Sequence, residues 1–168
     1  MNDVEWKEFF VGNIFNVRRS IARSEKQYQD GKIPFIASGN VNNGVIRFCE
    51  PLEKDKELDK GNCITVSPVD GSSFYQNINF LGRGGAGSSI LLLYNEQINR
   101  YSGIFFSQII RRTCSKYCYG KMGNQESIKR EKILLPVTNI GSINYKYMED
   151  FIKIRMLKKY KEYLSCVK

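Results

Sequence analysis

Short runs of apolar, β-branched and aromatic residues recur along most of the chain and predict β-strands. These runs occupy positions 15–17, 33–37, 45–49, 63–67, 90–94 and 133–137. Asn43 and Gly44 lie between the second and third runs, and because both residue types tolerate positive φ they predict a hairpin with an amide-rich tip. Pro136 has no N–H and suits the edge or end of the last strand. The opening residues predict a loop or a helical turn.

Two later segments carry apolar residues at helical spacing instead. Positions 105, 106, 109 and 110 predict a short helix within 103–111. The run 145–167 contains no Gly or Pro and follows Gly141, so it predicts a long helix whose N-cap is Ser142 or Asn144. One stripe of this helix consists of Met148, Ile152, Met156, Tyr160, Tyr163 and Val167.

The pattern as a whole predicts an α+β fold, in which a β-rich domain is followed by a long C-terminal amphipathic helix. We place the domain at 1–143 and the helix at 144–168. Towards its end the helix spaces apolar residues by 3, 4 and 3 positions, which is the spacing of a coiled-coil interface, at Leu157, Tyr160, Leu164 and Val167.

Composition adds few constraints beyond an ordinary globular domain. A chain of 168 residues with 42% hydrophobic residues can bury its own core. The sequence shows no signal peptide and no apolar run of the ~20 residues that a membrane helix needs, so we expect no membrane association and a cytoplasmic location. The five cysteines form no C-x-x-C pair and the chain has no histidine, which predicts free thiols and no metal site.

The net charge of +9 is concentrated in one region. Residues 111–168 carry 14 Lys/Arg against 5 Asp/Glu, whereas residues 1–110 carry 12 of each. A concentrated positive surface attracts polyanions, of which nucleic acid is the commonest. A solvated lysine-rich helix face would produce the same count.

Familiar catalytic patterns do not occur in the sequence. Without histidine there is no Ser-His-Asp or Cys-His nucleophile system, and the acidic residues lie in charged runs or at helix starts. The glycine-rich stretch 82–89 matches neither phosphate-binding pattern; it is either a loop that lets Arg83 or the backbone approach a ligand or a plain long loop. We therefore expect no catalytic residues and no enzyme activity in this chain.

Nine segments, read in order, resemble a known family. They are WKEF (6–9), GNIFNV (12–17), GKIPFI (31–36), NNGVI (42–46), ITVS (64–67), FYQ (74–76), YGK (119–121), ILLPV (133–137) and GSINYKYMEDFI (141–152). Each is weak alone, but their order resembles the target-recognition domains of type I restriction-modification specificity subunits and their type IIB and IIG relatives.

The resemblance implies sequence-specific binding of double-stranded DNA, with one domain reading half of a split target. Complete subunits of this kind carry two such domains, separated by long antiparallel helices that dock methyltransferase subunits. Those partners use S-adenosylmethionine to methylate adenine, so the resemblance implies no cofactor for this chain itself. The present chain departs from that plan, because it has one domain and the start of one helix.

Residue types suited to base and phosphate contacts lie mainly in predicted loops. We expect the DNA face to consist of Arg18, Arg19, Arg23, Asn40, Asn42, Asn43, Ser72, Ser73, Arg83, Tyr119, Lys121 and Gln125.

The helix offers a second surface, for a methyltransferase subunit or for a second copy of the chain. We expect it to consist of Met148, Ile152, Met156, Leu157, Tyr160 and Leu164. The alternative function is that of a truncated specificity-like interaction protein, which would bind the methyltransferase or full specificity subunits and regulate them.

Overall fold

The structure is a computed structural model that describes residues 4–55, 57–85 and 89–167. In these ranges the strands are β1 (Trp6–Phe10), β2 (Asn16–Arg19), β3 (Asp30–Ile36), β4 (Val45–Cys49), β5 (Cys63–Val66), β6 (Ser73–Gln76), β7 (Leu81–Gly82), β8 (Leu91–Tyr94) and β9 (Lys132–Pro136). The α-helices are α1 (Val11–Ile14), α2 (Arg100–Cys114), α3 (Gln125–Lys129) and α4 (Tyr145–Cys166). The predicted α+β class is confirmed.

The central element is a four-stranded antiparallel sheet in the order β2-β8-β5-β6. Side chains alternate between its two faces, as the strand period of two requires. On one face Ile64 and Leu93 belong to the largest core cluster, which includes Phe106 from α2. On the other face Cys63 and Leu92 pack with residues of the second sheet. Burial on both faces explains why β5 and β8 are almost continuously apolar.

A second sheet has the order β4-β3-β7, and β1 pairs antiparallel with β9 in a separate ribbon. The hairpin predicted from Asn43 and Gly44 is confirmed, since β3 and β4 are antiparallel across this turn. Asn42, Asn43 and Gly44 have φ of 49°, 56° and 77°. Three successive left-handed residues close the turn, and the Ala37 N–H donates to the Gly44 carbonyl at 3.0 Å.

Helix α2 is longer than the predicted 103–111 because its N-cap lies upstream of the apolar pattern. The Asn99 side chain accepts hydrogen bonds from the N–H groups of Tyr101 and Ser102, and the Ser102 side chain bonds back to the N-cap backbone. This reciprocal capping satisfies N–H groups that a helix start otherwise leaves without partners. The helix then packs over the central sheet through Phe106 and Ile110, both fully buried.

Helix α4 begins at the N-cap Asn144, whose side chain accepts a hydrogen bond from the Tyr147 N–H. Met148 and Ile152 are buried in this chain's own core. Their predicted role in binding a partner is therefore wrong, because a side chain buried inside the domain cannot meet another chain. From residue 154 to residue 167 every position is exposed. In the described part of the chain, no helix is both long enough and apolar enough to span a membrane.

Candidate nucleic-acid interface

Several loops leave the central sheet at the same end. Arg19, the last residue of β2, pairs with Leu91, the first of β8. Val66, the last residue of β5, pairs with Ser73, the first of β6. The segments 20–24 and 67–72 therefore leave the sheet at this end, which we call the loop end. Backbone hydrogen bonds from Gly84 to Arg23 and from Gly123 to Pro68 bring 83–85 and 115–124 to it.

The segment 115–124 is fastened to the loop end at several points. The Gly123 N–H donates to the Pro68 carbonyl at 2.8 Å. Tyr117 is buried and its hydroxyl donates to Glu131 Oε1 at 2.6 Å, while Lys116 Nζ lies 2.6 Å from Glu131 Oε2. Burial, together with the Glu131 bond, raises the pKa of Tyr117 well above its ordinary value, so this hydroxyl keeps its proton and remains a donor.

A tight turn projects from this anchored base. The Lys121 N–H donates to the Cys118 carbonyl at 2.9 Å, which leaves Tyr119 and Gly120 at the tip. Tyr119 is 84% exposed, so its aromatic ring is surrounded by solvent on nearly all sides. Lys121 is exposed as well and forms no ion pair with any described residue. The turn thus presents one aromatic ring and one lysine that no described residue pairs.

A cleft of about 230 Å³ opens beside this turn, and we call it the loop-end cleft. Its lining includes Arg19, Met122 and Asn124. Arg19 is exposed, and among the described residues no carboxylate lies within ion-pair distance of it. The neighbouring β5–β6 turn contains Asp70, whose carboxylate accepts hydrogen bonds from the N–H and hydroxyl of Ser72. The cleft is therefore bordered by a guanidinium that has no ion-pair partner in the described part of the chain.

Three residues predicted for the DNA face are buried, so that prediction is wrong for them. Ser72 is bonded to Asp70, and Ser73 is fully buried in β6. Arg23 is 2% exposed, and its guanidinium donates to Asp55 Oδ1 at 2.7 Å and to Asp59 Oδ2 at 2.6 Å. All three nitrogens of this guanidinium donate to partners inside the protein, and a side chain buried in this way cannot reach a phosphate or a base.

The buried pair formed by Arg23 and Asp55 fixes the charged connection between β4 and β5. Arg23 also donates to the Glu57 carbonyl at 3.1 Å. Burial alone would raise the pKa of Asp55, but hydrogen bonds from Arg23 and the Leu52 N–H outweigh it and hold the pKa below its ordinary value. Asp55 therefore stays ionised opposite the arginine.

The remaining predicted residues fall into separate groups. Arg19, Arg83, Tyr119 and Lys121 belong to the loop end, where all four are exposed. Arg18 precedes Arg19 on β2 and so faces the opposite side, with its guanidinium 5.9 Å from the ring centre of Tyr94.

The hairpin tip Asn42–Gly44 contacts β6, and Asn40, shortly before it, is exposed. The Asn43 side chain donates to the carbonyl of Tyr75 and to Gln76 Oε1 at 3.2 and 3.0 Å, so it secures the hairpin. Gln125 is the first residue of α3, and its side chain donates to the Val17 carbonyl at 3.2 Å. As DNA contacts, Asn40 and Asn42 stay predictions.

The polar face of α2 was missed from the sequence. Arg100 and Gln108 are exposed on this helix and line a second groove, beside β6 and the β3–β4 hairpin. The signal was present, since positions 100, 104, 108 and 111 share one face of a helix. The apolar spacing that predicts this helix marks its core face, which lies opposite the face of Arg100 and Gln108.

Comparisons with known proteins agree on one type of domain. The sequence profile described as "Type I restriction modification DNA specificity domain" matches residues 3–164. The chain is 27% identical over 155 residues to the specificity subunit of the type II restriction enzyme BgcI from Heyndrickxia coagulans, covering 90% of this chain and 44% of that protein.

Two solved structures share the fold. They are the S subunit of a type I restriction-modification system from M. genitalium, with a TM-score of 0.58, 18% identity and coverage of 96% of this chain and 42% of that one, and the HsdS subunit from Thermoanaerobacter tengcongensis, with a TM-score of 0.59, 11% identity and coverage of 91% and 38%. The chain spans less than half the length of each of these relatives.

Proposed function

Because this chain belongs to the family of type I restriction-modification DNA specificity domains, we propose that it binds double-stranded DNA at a specific sequence, as the specificity component of a restriction-modification system. The observation that carries this proposal is the loop-end cleft, which Arg19 lines together with Met122 and Asn124, two residues that follow the Tyr119–Lys121 turn in the chain. No acidic side chain belongs to its described lining.

The chemistry of these side chains suits the edges and backbone of a duplex. The planar guanidinium of Arg19 can donate two parallel hydrogen bonds to guanine O6 and N7 in the major groove. Lys121 offers a point charge for phosphate, and Met122 offers an apolar surface for a thymine methyl group. Arg83 and Tyr119 extend this face. Base contacts specify the sequence and phosphate contacts fix the register.

Catalysis in this proposal belongs to other chains. The chain would direct a partner adenine methyltransferase, a nuclease or both, and S-adenosylmethionine would bind only to the methyltransferase. In the ranges that the structure describes, no group of three or more His, Cys, Asp or Glu side chains could hold a metal ion. All five cysteines are free thiols, which supports a reducing cytoplasmic setting.

The alternative, a specificity-like protein that only occupies the methyltransferase or full specificity subunits, is not favoured. The family match extends from residue 3 to residue 164 and so includes the loop end. A regulator that reads no DNA would have no use for Arg19, which no described residue pairs, beside a cleft whose described lining has no acidic residue.

The exposed half of α4 supplies the partner surface in this proposal. Met156, Leu157, Tyr160 and Leu164 are exposed, and the first three line a groove of about 490 Å³ with Tyr101 of α2. We propose that this stripe pairs with the α4 of a second copy, or with a helix of the methyltransferase subunit. A dimer with two-fold symmetry would present two identical reading surfaces to a palindromic split site.

The proposal is tested by binding the protein to a library of randomised duplexes and sequencing the bound fraction. We expect enrichment of one short motif by the wild type. Arg19→Ala and Lys121→Ala should weaken binding to that motif, whereas Lys158→Ala, which removes a charge on α4, should not. Equal retention of all sequences by the wild type would overturn the proposal.

A further inference from the structure

A groove of about 510 Å³ runs along the outer edge of the central sheet. Its floor is the edge strand β6, with Phe74 towards the loop end and Gln76 towards the other end. Helix α2 forms one wall and the β3–β4 hairpin forms the other, represented by Val45 and Phe48. We call it the β6–α2 groove.

Its charge is positive and has no acidic counterpart. Helix α2 contains Arg100, Arg111 and Arg112 and no acidic residue. Among the described residues, none of these arginines forms an ion pair. Arg100 is the charged residue of the described lining, which contains no Asp or Glu. No carboxylate of the described lining therefore competes with a bound anion for these guanidinium groups.

The arginines are arranged along the groove, one near each end. Arg100 lines the groove beside Asn77 and Ile78. Arg111 lies near the other end, with its guanidinium 5.7 Å from the ring centre of Phe74. The two positions are three helical turns apart on one face of α2, about 16 Å along the axis. Gln108 lies between them and is exposed.

We propose that the β6–α2 groove holds one phosphate backbone of the bound duplex, an inference that rests on the proposed DNA binding. A backbone is a convex, anionic ridge with one charge per ~3.4 Å of helix axis on each strand, and so fits a concave cationic groove of this length. Arg100 and Arg111 hold phosphates. Phe48 and Ile78, which are 53% and 60% exposed, pack against the sugars.

The groove and the loop-end cleft lie close enough to contact one duplex. Phe74 directly follows Ser73, where β6 leaves the loop end, and α2 ends there at Cys114. A Cβ on Gly71, in the β5–β6 turn, would lie 2.0 Å from the Cys114 carbonyl oxygen. The two surfaces then have different tasks: the loop end specifies the sequence, and the groove positions the duplex.

The test measures affinity against salt concentration for the enriched duplex and for a random duplex, using wild type, Arg100→Ala and Arg111→Ala. Each variant should lower affinity for both duplexes by the same factor and reduce the salt slope by about 0.9. Arg111→Lys, which keeps the charge, should preserve the slope. Lys158→Ala serves as the matched control and should change nothing.

The outcomes separate this inference from the function on which it rests. An unchanged slope in both alanine variants, with the enriched motif still preferred by the wild type, overturns the groove and leaves the proposed function intact. Loss of sequence preference at an unchanged slope also overturns it, because the groove would then read bases. A wild type that prefers no sequence overturns the proposed function itself.

Discussion

Arg23 lies against Asp55 with Nε 2.7 Å from Oδ1, and both side chains are shielded from solvent. Removing one member of a buried pair leaves an uncompensated charge, which costs about 3 to 5 kcal/mol. We expect Arg23→Ala to lower the free energy of unfolding by that amount in urea denaturation. Arg19→Ala removes an exposed arginine that has no ion pair among the described residues; it is the control and should change the free energy of unfolding by less than about 0.5 kcal/mol.

The same pair predicts how stability depends on pH. The pKa of Asp55 lies below its ordinary value in the folded protein. The ionised carboxylate therefore stabilises the fold above that ordinary value, and this contribution is lost as the pH falls through the folded-state pKa. Acid unfolding of wild type should be steeper over this interval than that of Asp55→Asn. Identical acid-unfolding curves for the wild type and Asp55→Asn would contradict the prediction.

Gly71 fixes the distance between the β5–β6 turn and the end of α2. It has φ of 69°, and a Cβ would lie 2.0 Å from the Cys114 carbonyl oxygen. Gly71→Ala should cost more than about 2 kcal/mol, because the left-handed backbone and the clash both oppose it. Gly120→Ala is the matched substitution, since nothing lies within 4 Å of its Cβ position, and it should be neutral by thermal melting.

The exposed stripe of α4 is expected to control association. Leu157→Glu combined with Leu164→Glu places two charges on the stripe and should convert the proposed dimer to a monomer in light scattering. Ile154→Glu is the matched control, because Ile154 is also exposed but lies on another face of the helix. A wild-type mass equal to one chain at high concentration, with no copurifying methyltransferase, would argue against both proposed partners.

The five thiols should divide into two classes. Cys63 and Cys114 are buried, and burial raises the pKa of each to about 12; burial also raises the pKa of Cys49. Cys118 and Cys166 are exposed. An alkylating reagent should therefore label two cysteines quickly in the native protein and all five in denaturant, as counted by mass spectrometry.

Local signals in the sequence were sufficient for several elements. The Asn43-Gly44 pair predicted the β3–β4 hairpin, and the apolar runs predicted β5 and β8, because their burial on both faces leaves an unbroken apolar pattern. Strand β1 was missed because its partner β9 lies more than a hundred residues away and its side chains are mostly exposed. Strand β6 was missed as well, because it is only four residues long and has a polar residue at each end.

The candidate site could be predicted only in part, since residue type does not reveal burial. Arg23 and Ser73 have the chemistry of DNA contacts, yet tertiary packing uses the first in an ion pair and encloses the second. Conversely, Arg111 was not predicted as a contact, because the sequence reveals α2 through the apolar residues of its core face. Whether a polar side chain is available depends on contacts between segments far apart in sequence, and these are absent from any local pattern.

Arginines of β2 lie beside two clefts. Arg19 lines the loop-end cleft, whose described lining has no acidic residue, and it also lines the cleft of Arg18, where Glu57 and Asp59 lie together with Arg23 and Lys60. Basic side chains therefore outnumber acidic ones in the described lining of both clefts. A duplex that approaches β2 meets a positive potential, so we expect its association rate to rise as salt is removed.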